Sequence, residues 1–380
     1  MTELRRRVVI TGMGTINAST TGGSDAVAGA LALGRSTIAP VTAFPLDGLE
    51  SRLGAKIEPG VLGSLMDRDA ARRLSRICQL TVVACELAVM DAGVGGGPGL
   101  GIVVGTEHGD FRSSEEFASS FLRRGPAGLS PMIFPNTVMN SMASVAAIAV
   151  GAKATSVTLN QATVAGDLAV ARGAALVAGG RAEAVVAGGV DEICEPVYRR
   201  LAQMGALSPR LGAGPEGCRP FDPTHNGPVL GEGATFLVLE DLDAARARGG
   251  TIIAEVLRSA WGSVGAAPYT GRRQRADIHS PVARLVSGDR DGLARCYGSG
   301  NGDPVVDDWE VGLLARDLEG ARARLVPPIS LAPIFGQHGG LGALRVGAAA
   351  LDASRGMGPV LIHGIARGGC RTALVVGALA

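Results

Sequence analysis

The sequence predicts a layered α/β fold, and three observations carry that prediction. Short β-branched apolar runs alternate with Ala-rich stretches at helical spacing. Apolar residues make up 46% of the 380 residues while aromatics are only 3%, so the interior is built from Ala, Val and Leu. The chain also carries 57 glycines, which permit many close backbone approaches and suit stacked layers better than a β-sandwich. This length supplies two layered halves rather than one ordinary core.

Taken in order, residues 7–11 read as a first buried strand, and 74–92 as a helix with apolar residues at helical spacing. Strands follow at 101–105 and 156–159. Residues 165–178 are apolar almost all round, the mark of a helix buried on every side, and strands at 184–188 and 235–239 follow it. Pro and Gly gather at 207–223, 264–272 and 297–304, which are predicted loops. A second, shorter strand–helix series runs from 251 to the end and closes with strands at 359–362 and 372–376. No short-period repeat is present, and a duplication of the two halves is not visible in the residues.

Composition narrows the partners. Lys plus Arg number 36 against 35 Asp plus Glu, so no field of one sign recommends nucleic acid or an anionic membrane. The basic runs at 5–7 and 272–275 read as solvated surface, with an acidic protein as the alternative. Cys78, Cys85, Cys194, Cys218, Cys296 and Cys370 lie at no zinc or redox spacing, so no metal is expected and a reduced cytoplasm fits. The start has no signal-type apolar region, and the apolar run 168–177 is broken by Arg172 and Gly173, so a soluble cytoplasmic protein is expected.

VVITGMGTINAS looks like the opening of a dinucleotide fingerprint, a strand followed by Gly12 and Gly14, but Asn17 stands where the third glycine belongs. No helix N-terminus follows at once to hold a pyrophosphate, which favours a structural tight turn. The informative segment is TSVTLNQATVAGDLAVARGA, a strand that breaks at Asn160 and Gln161 and passes into the buried helix. A residue at such an elbow projects toward a helix N-terminus, where partial positive charge stabilises a thiolate or an oxyanion. Here that residue is an amide.

This segment resembles the β-ketoacyl synthase family, whose Ala-Cys-Ala-(Ser/Thr) element matches Asn160-Gln161-Ala162-Thr163 with Gln161 in place of the nucleophile. VVITGMG, GIVVGTEHGD, FPNTVMNSMASVAAIAVGAKATSVT, AVVAGGVDE and RPFDPTHNGPVLGEGATFLVLEDLDAARARG extend the resemblance over nearly the whole chain. The family's other catalytic groups are replaced as well. Tyr297 stands at the first histidine, ahead of Asp307 and Glu310; Ala332 stands at the lysine; and Gln337 stands at the second histidine. His338 lies one residue further on, so a shifted match would restore a histidine, although the match through 344–350 is unbroken. The family's Gly-Phe-Gly-Gly gate reads Ile365-Ala366-Arg367-Gly368-Gly369.

The resemblance implies a thiolase-like α/β fold, in which two pseudo-duplicated βαβαβαββ halves, 1–245 and 246–380, form a five-layered α-β-α-β-α core. A carboxamide has no ionisable group near neutrality and forms no acyl-enzyme, so condensation by this chain alone is excluded. Within the family, Gln at the cysteine position looks like the chain length factor of type II polyketide synthases, the inactive partner of a Cys-bearing ketosynthase in a heterodimer. The resemblance implies no bound cofactor, with phosphopantetheine-linked substrates delivered by an acyl carrier protein. By position, Phe111, Ser114 and Ala118, with Phe117 and Phe121 as neighbours, would line a tunnel shared with the partner; packing against the chain's own core is the alternative. The dimer contact would run along Ser156, Val157, Thr158 and Leu159 and the Met-rich stretch holding Met132, Phe134 and Met139, though a buried core helix reads the same. Asn136 and Asn140 read as local caps, and Asp222 and Glu232 as residues that hold loops. The alternative function is a Gln-type ketosynthase that decarboxylates malonyl-carrier protein to make a starter, a class that keeps both histidines.

Overall fold

The computed structural model describes residues 6–209, 214–263, 280–286, 292–324 and 326–379. The chain enters on β1 (Val8–Asn17), all ten residues of which are buried. After it come β2 (Thr21–Gly22), α1 (Ser24–Leu33), β3 (Ala39–Pro40), β4 (Leu53–Ala55), α2 (Val61–Leu65), α3 (Arg68–Ala71) and the long α4 (Arg76–Ala92). The middle of the chain holds β5 (Leu100–Thr106), α5 (Phe111–Arg124), α6 (Ser141–Ala149), β6 (Ser156–Asn160), α7 (Ala165–Ala178) and β7 (Ala184–Asp191). It continues through α8 (Glu195–Gln203), β8 (Leu230–Gly231), β9 (Gly233–Asp241) and α9 (Leu242–Ala247). The last part is β10 (Ala254–Ser263), α10 (Pro281–Val286), β11 (Arg295–Tyr297), α11 (Pro304–Gly320), β12 (Pro328–Ile329), α12 (Ala332–Phe335), α13 (Leu341–Ser354), β13 (Val360–Ile365) and β14 (Cys370–Gly377). The loop expected at 264–272 and the basic run at 272–275 lie outside the described residues.

Strand pairing makes explicit a duplication that the residues hide. One 11-stranded sheet runs β12-β11-β13-β14-β10-β1-β9-β7-β5-β6, with β2 paired to β1, beside a three-stranded sheet β3-β4-β8. The series β1, β5, β6, β7, β9 and the series β10, β11, β12, β13, β14 share one topology. In each, the first strand is antiparallel to the fifth and the fifth antiparallel to the fourth. The fourth is parallel to the second, and the second parallel to the third. The two series join where Val8, Val9 and Ile10 pair with Val256, Glu255 and Ala254.

Five layers result. Helices α7 and α13 pack on each other between the two halves of the sheet, α4 and α6 cover the outer face of the first, and α10 and α11 lie on the outer side of the second. Small residues set the spacing of the central layer: a Cβ on Gly166 would lie 2.5 Å from Gly339 O, and one on Gly342 would lie 2.4 Å from Asp167 N. The glycine-rich, aromatic-poor composition is therefore what lets two buried helices share one layer.

Gly12 and Gly14 do not form the tight turn expected of them; they lie inside β1. A Cβ at Gly12 would sit 2.4 Å from Ala92 N and one at Gly14 2.2 Å from Ala84 O, so both glycines seat α4 on the strand. The turn comes later, where Asn17 Oδ1 accepts the N–H groups of Ser19 and Thr20 at 2.8 and 3.0 Å. Among the described residues no helix is long and apolar enough to cross a membrane.

Candidate functional site

Parallel strands β5 and β6 end side by side, Thr106 paired with Asn160, so the residues that follow, Glu107 and Gln161, leave the sheet together. Gln161 N–H donates to Thr106 O at 3.1 Å, which ties the elbow back to β5. Thr163 is left-handed at φ 60°, a strained value for a β-branched residue, and α7 opens two residues later. Its N–H donates to Glu107 Oε2 at 3.1 Å. The elbow expected from sequence is thus present, with an amide at its tip and a neighbouring carboxylate on its backbone.

Asp191, at the end of β7, organises the surroundings. Its carboxylate accepts Thr106 Oγ1–H at 2.7 Å, the backbone N–H groups of Glu107 and His108 at 3.1 Å, and Gly339 N–H at 2.7 Å. One buried carboxylate therefore joins the strand ends of the first half to the Gly336–Gly340 loop of the second. Asn160 Nδ2 donates to Glu107 O at 2.9 Å and fixes that residue from the other side.

None of the positions that the sequence matches to the family's catalytic groups bears an imidazole, a thiol or an ammonium group. Tyr297 sends its hydroxyl to Asp352 Oδ2 at 2.8 Å, near the end of α13, and burial pushes the phenol up to about 12. Ala332 is fully buried at the start of α12. Gln337 is 5% exposed, and neither polar atom of its side chain reaches a hydrogen-bond partner. His338 is buried and takes Gly340 N–H on Nδ1 at 3.1 Å; burial lowers its pKa to about 4, so it is neutral at neutral pH. The chain's own thiols are no ready nucleophiles either. Burial raises the thiols of all six cysteines, Cys194 and Cys370 to about 11 and Cys218 to about 12.

What the chain retains here is scaffolding. Asp307 accepts the N–H groups of Asn301, Gly302 and Phe221 at 3.0 to 3.1 Å. Glu310 Oε1 accepts Ser299 N–H at 2.9 Å and lies 2.7 Å from His363 Nδ1. The loop after Tyr297 is pinned from both sides, and the altered gate is pinned to it: Ser299 Oγ accepts Ile365 N–H at 2.9 Å, and Arg367 pairs with Asp303. Asp222 accepts Thr224 N–H and O–H, and Glu232 pairs with Lys56 and Arg76 while accepting the N–H groups of Ile57 and Ile193, as loop-holding residues would. Asn140 stands at the N-cap of α6, but its side chain makes no capping bond.

The tunnel candidates lie together on α5. On this helix only Ser113 is buried, while Phe111 and Ala118 are exposed and Ser114 and Phe117 half-buried. Three contacts hold it in place. Asp110 caps its N-terminus through Ser113 N–H at 2.9 Å, Arg112 pairs with the buried Glu192 at 2.8 Å, and Phe117 meets Phe134 with ring centroids 5.7 Å apart. The Met-rich stretch is likewise no buried helix, since Met132 is 84% exposed and Phe134 and Met139 are exposed too. Helix α6 buries Met142, Ala143 and Ala146 and leaves Ile148 outside. Among the described residues, strand β6 pairs with β5 alone; Ser156 is exposed, and Val157, Thr158 and Leu159 are half-buried along its open edge. An open strand edge beside this many exposed apolar side chains is a surface built to be covered.

Sequence reading missed Glu107, Asp191 and the fully buried pair of Asp167 on α7 with Arg345 on α13, 2.5 Å apart. The signal for Glu107 was an acidic residue one step past a strand end, legible only once that strand is known to neighbour β6. Asp167 and Arg345 sit inside apolar helical runs, where a lone charge is a sign of a buried partner.

A doubled five-strand topology around two central helices, with a nucleophile elbow at the end of β6, defines a thiolase-like fold of the ketosynthase type. The Beta-ketoacyl synthase, N-terminal domain profile matches residues 5–245. This chain belongs to the β-ketoacyl synthase family. It is 32% identical over 258 residues to a 3-oxoacyl-[acyl-carrier-protein] synthase 2 of Synechocystis sp., covering 67% of this chain and 62% of that protein's length. It is 30% identical over 361 residues to a putative polyketide beta-ketoacyl synthase 1 of Streptomyces virginiae, covering 91% of this chain and 85% of that one. The solved structure of the ishigamide ketosynthase/chain length factor superposes with a TM-score of 0.85 at 24% identity, covering 99% of this chain and 100% of the other.

Proposed function

We propose that this chain is a non-condensing chain length factor of a type II polyketide synthase, which pairs with a Cys-bearing ketosynthase and helps to shape the tunnel for the growing chain. The observation that carries the reading is the turn at Gln161. It keeps the architecture of a nucleophile elbow but bears an amide, while Tyr297, Ala332 and Gln337 offer it no imidazole and no ammonium group. Acyl transfer needs a nucleophile, and Gln161 is none; the amides of Gln161 and Gln337 can donate a hydrogen bond but cannot take up or release a proton as an imidazole does. The similarity to a polyketide β-ketoacyl synthase over most of the chain supports the polyketide setting.

The exposed apolar face supports the pairing. Strand β6, Met132, Phe134 and Met139 would meet the ketosynthase subunit, and Phe111, Ser114, Phe117 and Ala118 would face the shared tunnel. An acyl carrier protein would deliver phosphopantetheine-linked units to the partner's cysteine. In this arrangement the chain contributes volume and shape, not bond making.

The test is co-expression with the Cys-bearing ketosynthase encoded beside it, followed by sizing and by turnover of malonyl-carrier protein on the pair and on each subunit. A stable heterodimer active only when assembled is the expected result. Carbon dioxide release by this chain alone would instead establish the starter-forming decarboxylase and overturn the proposal.

A further inference from the structure

We infer that Glu107 is an internal plug: its carboxylate occupies the anion-stabilising turn of the vacated condensing site and keeps thioester oxyanions and malonyl carboxylates out of this chain's own pocket. The inference rests on reading residues 160–163 as that vacated site, not on the chain-length reading.

Three N–H groups of the turn are committed within the chain. Gln161 N–H goes to Thr106 O, Val164 N–H to Ala162 O, and Thr163 N–H, two residues before α7, to Glu107 Oε2. The 14-residue helix α7 directs its positive end toward this turn, so a carboxylate held there takes the place that a developing oxyanion would need. Glu107 is not free to swing away at its base. Asp191 holds its N–H and Asn160 holds its C=O, while Thr106 before it is locked into β5. The titratable groups around it are Asp191 on β7 and His108 in its own loop, and His338 faces Asp191. Burial raises the Glu107 carboxyl and the Thr163 N–H opposes that rise.

Charge makes the plug selective. A malonyl group brings a carboxylate, and a second carboxylate cannot be seated beside the first without a cation between them. The side chains that act on Glu107 are His108 in its own loop, Asp191, and the neutral amide of Gln337. Substrate is therefore left to whichever subunit carries the cysteine.

The test uses the full-length chain with Gln161→Cys as a reporter thiol, alkylated by iodoacetate and by iodoacetamide across a pH series and followed by peptide mass spectrometry at position 161. With Glu107 present, the thiol should titrate at or above the ordinary value of about 8.5 and react poorly with the anionic reagent. Adding Glu107→Gln should lower the thiol pKa by a unit or more and raise the iodoacetate to iodoacetamide rate ratio about tenfold. Glu107→Asp, which keeps the charge but withdraws it from Thr163, should fall between and serves if the Gln variant fails to fold. Equal thiol pKa values and equal rate ratios with and without the carboxylate would overturn the plug. Because no partner is present, that result leaves the heterodimer experiment untouched.

Discussion

Replacing Arg345 with Met would strip its paired cation from a carboxylate at the centre of the molecule. Asp167 is 0% exposed and Arg345 1%, and they meet 2.5 Å apart between α7 and α13. The site has no slack for relaxation, because Gly342 lies against Asp167 N and Oδ2 so closely that a Cβ there would come within 2.6 Å of both. Removing one member of a buried pair costs about 3–5 kcal/mol, a large share of a stability of about 5–15 kcal/mol. Replacing both with apolar residues of similar size, Asp167→Leu with Arg345→Met, should restore most of the loss, so the double-mutant cycle should show a coupling of about 3 kcal/mol. The sign with pH follows from the direction of the Asp167 shift. Burial raises that carboxyl and Arg345 opposes the rise, so in Arg345→Met the folded-state value moves further up. Between the unfolded and folded values the native state then holds more protons than the unfolded state, and stability falls as pH rises. The penalty should be larger at pH 7.5 than at pH 5. Equilibrium urea unfolding followed by fluorescence of Trp261 and Trp309 measures it. A loss under about 1 kcal/mol at pH 7.5, or an additive cycle, would refute the argument.

Enlarging Ser114 or Ala118 to Phe should shorten the product of the assembled pair, read by mass spectrometry of released chains; unchanged length in both active variants removes these residues from the tunnel. Arg112→Ala should leave the buried Glu192 carboxylate unpaired, costing about 1–3 kcal/mol and broadening the product distribution, with Arg112→Lys restoring part of both. Ile148→Asp, on the exposed side of α6, should leave the isolated chain folded by circular dichroism yet abolish co-elution with the ketosynthase. Gly14→Ala should destabilise by about 3 kcal/mol or more, because its Cβ would lie 2.2 Å from Ala84 O, and should do so without any effect of added dinucleotide.

Much of the fold was legible because burial writes itself into periodicity. The helix expected at 165–178 is α7 with the same bounds, and the strands expected at 101–105, 156–159 and 184–188 lie within β5, β6 and β7. Gly12 and Gly14 were misread because a glycine that ends a strand and a glycine that seats a helix on a strand look alike in one dimension. The duplication was hidden because pairing order, not residue similarity, carries it. At the site, the vacant positions were read from residue identity alone, since chemistry is lost as soon as the side chain changes. Glu107 and Asp191 were not, because their roles come from strand ends 54 and 85 residues away in sequence, Asn160 to Thr106 and Asp191 to Thr106, brought together by parallel pairing.

The separation between what was lost and what was kept has a physical reason. If Gln161, Tyr297, Ala332 and Gln337 stand where the family's catalytic groups act, as proposed, the groups they replace served something outside the chain, so their loss removes no partner from the backbone. Asp191, Glu232, Asp307 and Glu310 instead accept backbone N–H groups from loops that cross between elements, and deleting any of them would leave several buried donors orphaned. On the proposed reading, such a scaffold sheds its chemistry at little cost in stability while its carboxylate frame continues to hold the elbow, the 365–369 segment and the loop after Tyr297 in place. The same logic predicts that restoring Cys at 161 and His at 297 and 337 yields a folded chain that still condenses nothing, because Glu107 holds the turn and Arg367 holds the gate. Measurable condensation by that triple variant alone, assayed with acyl- and malonyl-carrier protein, would mean that the frame places no such block.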